Sequence, residues 1–501
     1  MQVTRSYEST LLVINLDIAL NMDPHDQGDA FDDIRKLIRL QLIEKVVPSI
    51  AVAVAKDGVI LWEEGFGWAD RENRVPANEH TMYSLASISK PITATGLMIL
   101  KEQGKLDLDK PIDEYLGKVK LKAWVGESHE ATVRRVANHS SGLPLHFQFF
   151  YDDEPYSVPP MDETIRRYGN IVTAPGEKYQ YSNLGYGILD YITSRISGKS
   201  YSDFMREEVF LPLGLTRTSV HIGRGHERHH AIRYGNDGLP IPFYDFDHRG
   251  ASAVYSSAHD LVRFGMFHLK GHLQDQKAIL SDDAIEEMQR PTVNVENDAG
   301  YGIGWRISKE ADYSIVSHSG GMGGVSTRLI LVPSESLAVV VLCNAAQQDL
   351  TRLIFEEILS VFLPGYGSYR SRVKAEEESK EKKEHAKFKP SPELIGEWSG
   401  VVHTYKDAIP FSLSIKDSGD VHAKLGEQLI TLLNDSSFDD GYLKGRFSSD
   451  IGTEDANRLP YLLHVELKLR DKVLNGSVTA ISLPGKRVGN ALSHWGQIAR
   501  Q

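Results

Sequence analysis

Two antiparallel hairpins, set far apart in the chain, constrain the fold more than any other feature of the sequence. In the first, Ser49-Ile50-Ala51-Val52-Ala53-Val54-Ala55 runs into a turn at Lys56-Asp57-Gly58 and then into Val59-Ile60-Leu61-Trp62. In the second, Thr327 to Val332 leads through Pro333-Ser334-Glu335-Ser336 to Leu337 to Leu342. The text between them is mostly helical and loop-like, rich in Gly, Pro, His and aromatic residues. Strands at both ends with helices between predict one sheet closed by the two extremes of this region, with the middle forming a separate lobe. Ahead of the first hairpin, Phe31, Ile34, Leu37, Ile38 and Leu42 recur at helical spacing until Pro48 stops the pattern, which predicts one amphipathic helix.

A chain of 501 residues is too long for one ordinary core, so a second unit is expected. The boundary shows in the charge pattern. Lys374 to Glu384 mixes both signs without an apolar face and runs on to Pro390-Ser391-Pro392, which reads as a linker or a solvated helix. Beyond it the pattern alternates, as in Phe411-Ser412-Leu413-Ser414-Ile415 and Leu463-His464-Val465-Glu466-Leu467-Lys468-Leu469, with turns at Asp417-Ser418-Gly419-Asp420 and Asn475-Gly476. This predicts a small all-β domain, a lipocalin-like barrel. The expected organisation is an N-terminal extension at 1–27, a main domain at 28–365, a charged linker at 366–392 and the barrel at 393–501. Cutting after about Lys374 is then expected to leave the main domain folded.

With 41% hydrophobic and 25% charged residues the composition is that of a soluble globular protein. A net charge of -12 excludes the basic face that a nucleic-acid partner needs. The single cysteine, Cys343, sits in an apolar run and rules out an intrachain disulfide; it reads as a buried small hydrophobe. Leu11 to Leu20 is apolar, but Asp17 interrupts it and Glu8 offsets Arg5, which argues against a cleavable signal and, with no membrane span in the sequence, points to the cytoplasm.

The chemistry concentrates at Tyr83-Ser84-Leu85-Ala86-Ser87-Ile88-Ser89-Lys90-Pro91, which opens a helix with an expected inward face of Ile92, Gly96, Ile99, Leu100 and Gln103, ending at Gly104. Proline is tolerated in a first turn because its missing N–H has no partner there. Ser87 and Lys90, three apart, share one helix face, so the lysine amine can reach the serine oxygen. The positive potential of a helix N-terminus favours a neutral lysine and a developing oxyanion. A neutral Lys90 could then take the Ser87 proton.

Ser-x-x-Lys alone recurs by chance, and its company gives it weight. Downstream stand Tyr181-Ser182-Asn183 and His318-Ser319-Gly320, with flanks at Asn138-His139-Ser140-Ser141-Gly142-Leu143-Pro144, at Pro175-Gly176, at Pro212-Leu213-Gly214-Leu215 and at Tyr301-Gly302-Ile303-Gly304-Trp305. In this order the motifs resemble the serine β-lactamase and penicillin-binding-protein-like family, in its class C β-lactamase, DD-peptidase, D-aminopeptidase and esterase branch, over roughly residues 30 to 362. The resemblance implies an α/β (α+β) fold: an antiparallel sheet flanked by helices plus a mainly helical lobe, followed here by the barrel. It also implies that Ser87 attacks an acyl carbonyl, that Lys90 and the Tyr181 phenol relay protons, and that Asn183 orients lysine and substrate. The backbone N–H groups of Ser87 and Gly321 would form the oxyanion hole, and the strand of His318, Ser319, Gly320 and Gly321 would border the substrate.

One departure bears on substrate. Where typical β-lactamases carry lysine in the third motif this chain has His318, which tilts the expectation toward peptide, amide or ester substrates. With its ordinary pKa near 6.5, His318 is expected to read a substrate carboxylate in a pH-dependent way. Phe147, Phe149, Phe150 and Tyr151 either line an acyl pocket or pack a core. Tyr234-Gly235-Asn236, His221-Ile222-Gly223 and His248-Arg249-Gly250 fit the second or third motif but lack the flanks. His226-Glu227-Arg228-His229-His230 fits the zinc-protease pattern, which needs a helix; Gly223 and Gly225 close by favour a polar surface loop instead. The expectation is therefore a serine peptidase or amidase of the DD-peptidase or D-aminopeptidase type with weak β-lactamase activity, without cofactor or metal, acting on a small-molecule or peptide substrate, with homo-oligomers allowed. The alternatives are a carboxylesterase or acyltransferase on the same fold, and a non-catalytic sensor or scaffold.

Overall fold

The computed structural model describes residues 28–222, 226–296, 299–381, 388–485 and 487–501. The N-terminal extension with Leu11 to Leu20, the glycines Gly223 and Gly225 and the centre of the charged linker lie outside the described residues. Among the described residues no helix is long and apolar enough to cross a membrane.

The two hairpins meet as expected. The strand Ser49–Lys56 pairs on one side with Val59–Asp70 and on the other with Leu337–Cys343, so that Val52 stands opposite both Glu64 and Val341. It is an inner strand of a nine-stranded antiparallel sheet, two strands from one edge, and the far side of that sheet is built by the segments from Val293 to Val332. Both faces of the middle strands are covered, which is why Ser49 to Ala55 is buried at every position. The two-residue period sorts the side chains by size. Ala51, Ala53 and Ala55 face the helical lobe, while Ile50, Val52 and Val54 face the helices Gly28–Glu44 and Gln348–Phe362. Each of these larger side chains contributes roughly 1.5–3 kcal/mol by burial. Cys343 ends its strand between Ile50 and Ser326, fully enclosed, and burial pushes its thiol up to about 12.

The middle of the chain forms the helical lobe around the helix Ser89–Glu102. The single inward face expected for this helix is too narrow: every residue from Ser89 to Leu100 is buried, whereas Gln103 is exposed at the C-terminal cap. From Ser89 to Leu100 the helix is enclosed by Asn183–Ser197, Tyr201–Met205, Arg249–Ser252 and Asp282–Gln289, so no side of that stretch meets water.

The charged segment is helical over Tyr366–Glu381. After it, Gly396 to Arg500 folds into a second nine-stranded antiparallel sheet in which the first strand, Gly396–His403, pairs with the last, Ala491–Arg500, giving a nearly closed barrel. Leu413, Leu443, Leu463, Leu467 and Val478 fill its interior.

The barrel is joined to the main domain by backbone, side-chain and aromatic contacts. Phe147 and Ala491 exchange backbone hydrogen bonds in both directions at 3.0 and 2.9 Å. Asp455 accepts from Tyr168 at 2.8 Å and Arg167 at 3.0 Å, Arg458 donates to the Phe149 carbonyl and to Glu154, each at 2.9 Å, and Trp124 stacks on Trp495. One apolar cluster runs through both parts without a break. The aromatic run belongs to this seam: Phe149–Tyr151 is a buried strand paired with Tyr244–Phe246. Of the two readings of the run, core packing describes these three residues. The expectation that a cut near Lys374 leaves an intact main domain does not fit this seam.

Candidate active site

The nucleophile candidate lies where a strand becomes a helix. Tyr83–Ser84 pairs with Val254–Ser256, a tight turn covers Ala86–Ile88, and the helix begins at Ser89. Ala86 is forced to a φ of 48°, a left-handed value costly for a residue with a Cβ. The surroundings hold it there: Leu85 N–H donates to Val254 O at 2.9 Å, and Thr327 Oγ1 donates to Leu85 O at 2.8 Å. The result is that Ser87 alone, in the stretch from Thr81 to Leu100, reaches toward solvent. Gly320 makes the approach possible, because a Cβ there would overlap the Leu85 carbonyl and Thr327 Oγ1.

Lys90 is completely buried beneath Ser87, its Nζ 3.1 Å from Ser87 Oγ, 2.8 Å from Asn183 Oδ1 and 3.2 Å from the Ala251 carbonyl. Burial holds the amine well below the ordinary lysine range. Tyr181 donates its hydroxyl to Ser87 Oγ at 2.8 Å, and burial raises its pKa, so the phenol keeps its proton. Tyr181 is placed by the start of the next helix: Ser182 Oγ accepts from Gly185 N–H at 3.1 Å, the cap of Asn183–Ser197. That cap also sets Asn183 at the first turn, aimed at Lys90.

A neutral amine has two N–H donors and one lone pair. Asn183 Oδ1 and the Ala251 carbonyl are acceptors, so they occupy the two donors and leave the lone pair for the Ser87 hydroxyl. Such an arrangement can serve as a general base aligned with a nucleophile.

The third motif lies on the strand Tyr313–Met322, across a cleft of about 540 Å³ lined by Ser87, Tyr181, His318, Ser319 and Gly321 together with Tyr179 and Tyr301. Of the residues expected at the site, Gly320, Lys90 and Asn183 lie beneath this lining and the others on it. His318 does not behave as expected. Its Nδ1 donates to Ser319 O at 2.7 Å, so its Nε2 accepts from Tyr301 Oη at 2.8 Å, and burial pushes the ring down to about 3. His318 is therefore neutral across the working range and does not titrate near neutrality as its residue type suggests. The ratio of kcat/KM for a carboxylate-bearing ester to that for its neutral counterpart should stay flat between about pH 5 and about pH 8. A break near the ordinary histidine pKa would contradict this assignment.

Several site residues escaped sequence reasoning. Arg306, Arg328 and Gln348 line the cleft, and Gln348 Nε2 donates to Gly320 O at 2.8 Å. Arg306 directly follows the Tyr301 to Trp305 flank, so one more residue of reading would have reached it. His139 accepts from Ser182 N–H at 3.1 Å and packs its ring 4.4 Å from that of Tyr181, buttressing the phenol. The Ala251 carbonyl has no sequence signature at all. Among the rivals, His226 to His230 is a turn ending in a bridge from His230 to Met82, not a helix, and Tyr234 donates to Glu72 away from the cleft. His248 is buried against Asp247, which also binds His146.

Known proteins resemble this chain in sequence and in fold. The beta-lactamase family model matches residues 34–359. Penicillin-binding protein 4* of Bacillus subtilis (strain 168) is 30% identical over 325 residues, 58% of this chain and 67% of that protein. The chain spans about two thirds of the length of the curated relatives it matches. Among solved structures, the octameric penicillin-binding protein homologue from Pyrococcus abyssi superposes with a TM-score of 0.57 at 23% identity, over 93% of this chain and 99% of that one. A class C beta-lactamase gives a TM-score of 0.59 at 20% identity, over 67% of this chain and 97% of that one. A family model that matches the segment holding all three motifs, and structures that share its fold, lead to one conclusion: this chain belongs to the beta-lactamase family.

Proposed function

We propose that the protein is a serine hydrolase that cleaves amide or ester bonds through an acyl-enzyme on Ser87, as a peptidase or amidase of the DD-peptidase or D-aminopeptidase type with weak β-lactamase activity. One observation carries this reading: Ser87 Oγ is held at once by a buried, proton-poor Lys90 and by the protonated Tyr181 phenol.

In the proposed cycle Lys90 Nζ takes the Ser87 proton as Oγ attacks the carbonyl carbon. The ammonium so formed lies 4.6 Å from the Tyr181 ring centroid, where the π face offsets its charge. Oxyanion charge would collect at the backbone N–H groups of Ser87 and Gly321, two residues that line the same cleft. Tyr181 gives its proton to the leaving group and regains one from the Lys90 ammonium. Water then enters by the reverse relay and releases the acid. The substrate class rests on the neutral His318 and on the cleft running along Ser317 to Gly321, which suits an extended backbone laid against a strand.

A fluorophosphonate tests the assignment, because it reacts with an activated serine and leaves a permanent mass tag. Digestion and mass spectrometry should place one tag on the peptide holding Ser87. A tag on another serine, or none under conditions where the protein turns over p-nitrophenyl acetate, would remove Ser87 from the mechanism.

A further inference from the structure

The cleft does not stop at the catalytic lobe. Tyr179 and Tyr181 line it on one side and, on the other, line a second groove of about 640 Å³ whose far wall is the outside of the barrel. Three adjacent barrel strands build that wall: Tyr442–Phe447, Tyr461–Arg470 and Val473–Ser482. Their register sets Lys444 beside Glu466 and Glu466 beside Ser477, then Arg446 beside His464 and His464 beside Thr479. The two-residue period turns these six polar side chains to one face, while Leu443, Val465 and Val478 point into the barrel core. A polar grid thus opens within one residue of the nucleophile, since Tyr181 Oη is 2.8 Å from Ser87 Oγ.

The charge of this wall has a sign. Glu466 is shared by Lys178 at 2.9 Å and Lys444 at 3.4 Å, so two ammonium groups meet one carboxylate; Arg446 and Asp435 offset each other. The groove carries one surplus positive charge beside a set of hydroxyl and imidazole hydrogen-bonding groups. The barrel is also clamped at this point. Glu177, next in sequence to Lys178, is hydrogen-bonded by Lys468, Arg470 and Tyr442; burial opposes its ionisation, yet these bonds hold its carboxylate down at about 2.

We propose that this face of the barrel is a second subsite of the same cleft, which takes an anionic, peptide-like extension of the substrate beyond Tyr181. The inference rests on the reading of Ser87 as the reacting centre, but its test does not require turnover. In the Ser87→Ala protein, calorimetric titration compares three pentaglycine probes: succinyl-pentaglycine amide, with the carboxylate at one end; acetyl-pentaglycine, with it at the other; and the neutral acetyl-pentaglycine amide. One of the two anionic probes should bind more tightly than the neutral one. Lys444→Glu, at a half-exposed position, should raise the Kd of that probe by about tenfold and of the neutral probe by less than about twofold. His464→Trp, which fills the groove, should weaken all three. With Ser87 intact, Lys444→Glu should leave kcat/KM for p-nitrophenyl acetate unchanged. Equal affinity for charged and neutral probes, no binding of any probe, or an equal loss toward the acetate would each overturn the subsite. Failure of the fluorophosphonate to tag Ser87 would instead overturn the catalytic reading.

Discussion

Lys90→Met should lower kcat/KM by roughly 10⁴-fold, the upper range for loss of a positioned general base, and should leave Ser87 slow to react with a fluorophosphonate. Methionine matches the lysine stem in length, so the buried space stays filled. The same variant reads out the protonation state of Lys90 through stability. In the unfolded chain a lysine keeps its proton up to its ordinary value of 10.5, whereas burial makes the folded protein give it up at lower pH. Between those two values the unfolded state binds more protons than the folded one, so the parent gains stability as pH rises. The methionine variant lacks that term. Denaturant unfolding at about pH 7 and about pH 9.5 should therefore show the parent gaining on the variant as pH rises. Parallel profiles would mean that Lys90 stays charged in the folded protein, and the base would have to be sought elsewhere.

A chain ended at Glu381 should melt at least about 10 °C below the parent and should aggregate, because removing the barrel uncovers Trp124, Phe147, Phe149 and Tyr168 together. Each uncovered aromatic side chain costs about 1–2 kcal/mol, so the sum reaches several kcal/mol without any polar contribution. Activity should fall as well, by about 10²-fold even toward the smallest ester. The segment that carries Tyr181 is clamped to the barrel four residues earlier, at Glu177, and a displacement near 1 Å at a catalytic group is enough for such a loss. Differential scanning calorimetry and p-nitrophenyl acetate turnover measure the two effects. A truncated chain that matches the parent in both would restore the simpler picture drawn from composition, with a barrel that can be removed at the charged boundary.

What the sequence made legible follows the range of the interactions involved. Ser87 and Lys90 are three apart on one chain segment, so local helix geometry brought them to 3.1 Å. The hairpins were equally plain, since alternation and turn residues are local signals, and their meeting through Val52 and Val341 followed from the need to cover two apolar faces. Tyr181, Asn183 and His318 were found by resemblance, not by spacing. Long-range polar contacts left no such trace. Nothing about Asp455 or Arg458 in an alternating, polar tail marks them as partners of Tyr168 and Phe149, and a backbone acceptor such as Ala251 O is invisible by type. His318 shows a related limit. Its residue type suggested a titrating group, but its charge state is set by the Tyr301 hydroxyl and the Ser319 carbonyl, which fix the tautomer in a closed setting. Gln103 shows the converse, a residue assigned inward by period on a helix buried on all sides up to its exposed end.

The one thiol of the chain offers a clock. Cys343 has strands on both flanks, Ser49–Lys56 and Val325–Val332, and its side chain is buried on the face that the helices Gly28–Glu44 and Gln348–Phe362 cover. A thiol reagent can reach it only in molecules whose covering helices have lifted from the sheet, so the rate of modification counts those openings. The chain has no other cysteine to confuse the reading. In Lys444→Cys the half-exposed new thiol should react first, and the slow second phase in the same trace would time the lifting of the helices from the sheet.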